Sequence, residues 1–121
     1  MAAPNIVNVS TITGKTVGAA LTTSSADIVS NGASSNRVLK INAVYVANID
    51  GSSSAEVTVT WYDASAAATY NLAKTIIVPA DATLVVVDKD AALYLEEGDK
   101  ISALASANGD LEITVSFEEI G

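Results

Sequence analysis

The groups available for chemistry in this chain are few: 14 Asp and Glu, 6 Lys and Arg, and numerous Ser and Thr hydroxyls, with no His and no Cys in 121 residues. Asp88-Lys89-Asp90 and Glu96-Glu97-Gly98-Asp99 could offer carboxylate oxygens to a cation. Neither has the ligand spacing of an EF-hand loop or a glycine-rich calcium repeat, so solvated turn residues are the better reading. Glu118 and Glu119 could in principle share glycosidase work, but neighbours on a strand point to opposite faces, whereas two catalytic acids must face each other across a cleft. The Ser hydroxyls have no imidazole to activate them, and neither a phosphate-cradling glycine loop nor a nucleophile elbow occurs. Without His the usual base near neutral pH and the commonest transition-metal ligand are missing. Without Cys there is no disulfide, thiolate site or thiol nucleophile. The expectation is a protein that is not an enzyme and takes no cofactor and no metal.

The aromatic residues are the remaining candidates, because exposed rings stack on sugars or anchor interfaces. By strand parity Trp61 points inward with Val57 and Val59, which predicts that it is the largest member of the core. Tyr62 points outward, and with Tyr45, Tyr70 and Tyr94 it is a candidate for a contact surface.

What positions these residues is read from periodicity. Glu56-Val57-Thr58-Val59-Thr60-Trp61-Tyr62-Asp63 alternates with period two, as does the stretch in which Leu111, Ile113, Val115 and Phe117 interleave with Glu112, Thr114, Ser116 and Glu118. Both predict antiparallel strands with one face on a core and one in water. Residues 39–49 are apolar at every odd position, and Val44 and Val46 add apolar groups on the other face. That predicts a strand covered on both sides, either central or with Val44 and Val46 turned toward another subunit. Turn chemistry recurs about every ten residues, at Ser30 to Asn36, Asp50 to Ser54, Asp63 to Ala67, Pro79-Ala80-Asp81, Glu97-Gly98-Asp99 and Asn108-Gly109-Asp110. The chain is thereby cut into strands near 5–12, 16–23, 37–49, 55–63, 69–79, 83–88, 92–96, 100–107 and 110–119. No window carries a sustained 3.6-residue period. The predicted fold is all-β: one antiparallel, jelly-roll-like β-sandwich over residues 1–121 with about eight or nine strands. The first 36 residues hold one Lys, one Asp and no aromatic residue. They read as an edge strand with loose loops, or, over residues 1–15, as an extended N-terminal arm that adds to a neighbour's sheet.

The formal charge is −8, and residues 81–121 hold ten acids against Lys89 and Lys100, whereas residues 1–80 balance four against four. Six scattered bases cannot build the basic face that phosphates require, so no nucleic-acid partner is expected. The apolar runs Thr75-Ile76-Ile77-Val78 and Leu84-Val85-Val86-Val87 are far too short for a bilayer, and no basic segment followed by an apolar run opens the sequence. A soluble protein without membrane contact or export signal is expected.

From about Leu39 onward the chain resembles small virion structural proteins of tailed bacteriophages. The likeness is carried by Ile41-Asn42-Ala43-Val44-Tyr45-Val46-Ala47-Asn48 before a Gly/Ser turn, Val57-Thr58-Val59-Thr60-Trp61, Ile77-Val78-Pro79-Ala80 leading to Leu84-Val85-Val86, Leu93-Tyr94-Leu95-Glu96-Glu97-Gly98-Asp99-Lys100-Ile101, and Val115-Ser116-Phe117-Glu118-Glu119. The Leu-x-Leu-x-x-Gly-Asp-x-Ile element is also similar to the turn before a late strand in jelly rolls of the tumour-necrosis-factor type, where Gly makes the turn and Asp caps it. The resemblance implies a virion component, foremost a capsid decoration (cement) protein on the outer capsid surface with the major capsid protein as partner, or else a part of the neck, tail or fibre. It also suits a homo-oligomer, a trimer by preference, whose contacts would include Tyr45, Tyr62, Tyr70, Tyr94, Val44 and Val46. A carbohydrate- or receptor-binding module is the alternative from another class, and its mark would be two or more exposed aromatics gathered on one face.

Overall fold

Val57 and Val59 have no exposed surface and Glu56 between them and Ala55 lies in water, so the strongest alternation in the sequence folds as a strand with one dry face. Leu111, Ile113 and Val115 repeat this with zero exposure. Each such side chain contributes about 1.5–3 kcal/mol by leaving water, which is why parity decides strand orientation so firmly. The computed structural model describes residues 7–121. Their strands are β1 (Ile12–Ala20), β2 (Ala26–Ser30), β3 (Val38–Asn48), β4 (Ala55–Asp63), β5 (Ala68–Val78), β6 (Thr83–Val87), β7 (Leu93–Leu95), β8 (Lys100–Ala105) and β9 (Leu111–Ile120), with a single 3-10 turn at Lys89–Ala91 between β6 and β7. There is no α-helix among the described residues.

One sheet runs β1-β9-β3-β6, with β7 also paired to β3, and the other runs β2-β8-β4-β5, every pairing being antiparallel. Apart from the β4–β5 hairpin, neighbours in each sheet are distant in sequence, and the two sheets interleave as a jelly roll. The sixth of its eight positions is shared by β6 and β7, two halves of one edge strand interrupted by the 3-10 turn, whose first residue is capped by Asp88 accepting from the backbone N–H groups of Asp90 and Ala91. The fold class expected from the sequence is the one observed.

From β3 onward each strand lies within two residues of its expected limits. The first two do not. Strands were expected at 5–12 and 16–23, but β1 is continuous through Gly14, which sits in extended backbone, and β2 follows at Ala26–Ser30. Low hydrophobicity hides the alternation of β1, and β2 is too short and polar to show a period. Residues 12–15 of the expected arm are the start of β1, which pairs with β9 of its own chain; residues 1–6 lie outside the described residues.

A second correction concerns β3. Leu39 and Ile41 are buried as expected, but beyond them the buried residues are Val44, Val46 and Asn48, and Tyr45 is 37 % exposed. The register explains this: Ile41 opposes Phe117 and Ala43 opposes Ser116, leaving Asn42 as an extra residue. This β-bulge reverses the parity of the rest of the strand. Val44 and Val46 therefore belong to the core and not to an interface. Asn48, buried at the end of β3, donates from Nδ2 to the carbonyls of Ser53 and Val78 (both 3.0 Å) and accepts from the Asp50 N–H (2.9 Å), closing that end of the sandwich without an orphaned polar group.

Candidate interaction surface

The two sheets meet along most of their length, but on one side the edge strands β5 and β6–β7 stand open. Their outer backbone groups have no strand partner among the described residues. Ile76 (42 %), Ile77 (61 %) and Val85 (57 %) are exposed there, and between the edges runs a groove of about 500 Å³ lined by Asn71, Leu72, Ala73, Lys74, Ile76 and Leu84 to Val86. Edge strands of soluble proteins are usually guarded by charge, Pro or extreme shortness. Here eleven-residue β5 carries only Lys74, and β6 carries no charge at all. β5 is bent instead: its register against β4 slips twice, and Thr75 takes a left-handed φ of 47° at the irregularity.

At the Leu72 end the groove opens into a cleft of about 420 Å³ bounded by Trp61, Leu72, Leu93, Tyr94 and Glu96. Trp61 does point inward as parity predicts, but it is half-buried rather than enclosed, because the three-residue β7 covers little of it. It packs against the core on one side and stacks on Tyr70, its cross-strand partner, with ring centroids 5.4 Å apart and planes at 29°. Its indole Nε1–H is buried and has no acceptor among the described residues.

The four tyrosines do not form one patch. Tyr70 (50 % exposed) and Tyr94 (43 %) flank the cleft region. Tyr45 lies across from Val85 on the outer face of the first sheet. Tyr62 is on β4 of the other sheet, its ring 5.7 Å from the Lys100 ammonium. The sequence does not mark Leu72, Ile76, Ile77, Leu84 and Leu93 as surface groups; the one local sign is the run of consecutive apolar residues at Ile76-Ile77 in a strand that should alternate.

The acidic groupings resolve into structure. Asp88 caps the 3-10 turn. Asp99 is buried and accepts from the backbone N–H groups of Ala64 (2.9 Å) and Glu96 (3.0 Å), while buried Glu97 accepts from the Asn36 N–H (2.8 Å). Among the described residues no three acidic side chains gather to hold a metal ion. On β2, Asp27 accepts from the Ser102 hydroxyl (2.8 Å) and pairs with Lys100 (3.3 Å). The hydroxyl foremost, and the ammonium after it, hold its carboxyl below the usual carboxylate range against a smaller desolvation effect.

No family model and no curated protein is significantly similar to the chain. Among solved structures it is similar to a chain from the Bacillus endospore appendages, described as a novel family of disulfide-linked pili: the match covers 99 % of this chain and 96 % of that one, with a TM-score of 0.53 and 14 % identity. At that identity the likeness is one of fold.

Proposed function

We propose that this chain is a non-enzymatic structural subunit that associates with copies of itself in an extracellular or particle-surface assembly. The observation that carries this reading is the open β5 and β6–β7 edge, where exposed Ile76, Ile77 and Val85 accompany unpaired backbone groups. Such an edge gains main-chain hydrogen bonds and apolar burial when a strand of a neighbour is added. The first sheet ends in β1 on its far side and the second in β2, so each sheet offers a different surface at each edge. Unlike surfaces joined head to tail build rings if the rotation closes and filaments if it does not. The similarity to a pilus subunit favours the filament. Cohesion here differs in kind from that of disulfide-linked pili, since this sequence has no Cys to form a disulfide and β-pairing with packing takes that role.

Decoration of a phage capsid is the narrower form of this reading and draws its support from the sequence resemblance. It makes the major capsid protein the partner and a trimer the free form.

Light scattering and negative-stain imaging of the purified protein, with and without reductant, test the proposal. Concentration-dependent assembly indifferent to reductant is expected, and Ile77→Lys with Val85→Lys should give a folded monomer. A wild-type protein that stays monomeric throughout and ignores undecorated capsids rejects it. Assembly into filaments favours the appendage; a small closed oligomer that coats capsids favours the cement.

A further inference from the structure

We infer that the cleft between Trp61 and Tyr94 is a binding site for a pyranose ring. Trp61 comes from β4 in one sheet and Tyr94 from β7 in the other, so the cleft is a slot contributed by both sheets, with Leu72 and Leu93 completing its apolar lining. Its volume, about 420 Å³, lies within the usual range of small-ligand sites.

The chemistry of the lining selects the ligand. A pyranose offers apolar C–H faces to aromatic rings and hydroxyls around its edge. Trp61 is held in place by its stack on Tyr70, and Tyr94 is 43 % exposed beside the cleft. Glu96 is exposed at the boundary, its side chain in no hydrogen bond or ion pair among the described residues, and can accept from sugar hydroxyls. A purely aliphatic ligand would leave Glu96 idle. Phosphates and other anions are disfavoured, because no basic side chain lines the cleft and Glu96 would repel them. The proposed self-association contacts Ile77 and Val85 are not part of this lining, and Ile76 lies about 13 Å from Tyr70, because their partners Val57 and Trp61 are four residues apart on β4.

Trp61 is the only tryptophan in the chain, so its fluorescence reports on this site alone. The test titrates the protein with methyl glycopyranosides of glucose, galactose, mannose and N-acetylglucosamine, and with sorbitol as an acyclic control. At least one glycoside should give a saturable emission shift and shield Trp61 from acrylamide, with half-saturation at roughly millimolar concentration, as a ligand of about a dozen heavy atoms permits. Tyr94→Ala and Glu96→Gln, both exposed positions, should each weaken that response about tenfold while the far-ultraviolet circular dichroism stays unchanged. Absence of a saturable response to every glycoside, an equal response to sorbitol, or an undiminished response in both variants would overturn the proposal. So would Trp61 emission that follows protein concentration and is indifferent to sugar, which would make the cleft a contact between copies.

Discussion

The carboxylate of Asp99 accepts the backbone N–H of Ala64 at 2.9 Å, and through that bond the turn before β8 is tied to the β4–β5 hairpin 35 residues earlier. The other carboxylate oxygen accepts the N–H of Glu96 at 3.0 Å, so one side chain that is 1 % exposed satisfies two donors in two different loops. Removing it would leave both donors competing for poor substitutes. Asp99→Ala should cost about 1–3 kcal/mol for each donor left buried and unpaired, and Asp99→Asn, with one carbonyl oxygen, should lose less. Urea unfolding of the two variants against the wild type measures the difference; equal stability of all three would show that water replaces the carboxylate.

Gly98, the neighbour of Asp99, has a φ of +87°, and a Cβ placed on it would stand 2.8 Å from the Cβ of Ala64. Both the left-handed backbone and the contact oppose a side chain there. Gly98→Ala should therefore destabilise the fold by at least about 1 kcal/mol. Pairing it with Ala64→Gly should recover the part due to contact but not the part due to φ, a split that thermal unfolding of the single and double variants resolves.

The Asn42 bulge makes an opposite pair of predictions for adjacent residues. Val44 has no exposed surface, so Val44→Ala should cost about 2 kcal/mol through lost burial and the cavity left behind. Tyr45, 37 % exposed, should tolerate Ala to within about 0.5 kcal/mol in the monomer. Denaturation midpoints with the reverse ranking would mean that β3 keeps unbroken parity and has no bulge at Asn42.

Asp27 makes stability depend on pH in one direction. Its carboxyl is held below the usual range in the folded state, foremost by the Ser102 hydroxyl. The folded state therefore binds its proton less readily than the unfolded chain does. The resulting stability is fully present above the ordinary carboxylate pKa, near 4, and is lost as pH falls through the lowered folded value. Because the side chain is 53 % exposed, the effect should not exceed about 1 kcal/mol. In Asp27→Asn the loss of stability below about pH 4 should be correspondingly shallower, and parallel pH profiles for variant and wild type would contradict the assignment.

The amino-acid sequence by itself determined the all-β character and the strands from β3 onward, whereas the burial of Asp99, read as a solvated turn residue, was not legible in it. Alternation of two and turn residues with particular backbone preferences act within about ten residues, whereas the Asp99 carboxylate also reaches the N–H of Ala64, 35 residues away. The parity of β3 past Asn42 was decided elsewhere, because a bulge is a relation between two strands and Ser116 on β9 is half of it. The continuity of β1 across residues 13–15 has a similar origin, since those residues are paired with β9, Gly14 opposite Glu118. The open edge and the cleft depend on tertiary structure most of all. Trp61 and Tyr94 approach because β4 and β7 lie in different sheets that meet along one side, and whether an inward residue is enclosed depends on the length of the strand opposite. A β7 of three residues leaves Trp61 half uncovered, and nothing in the residues around Trp61 records the length of a strand formed 30 positions later.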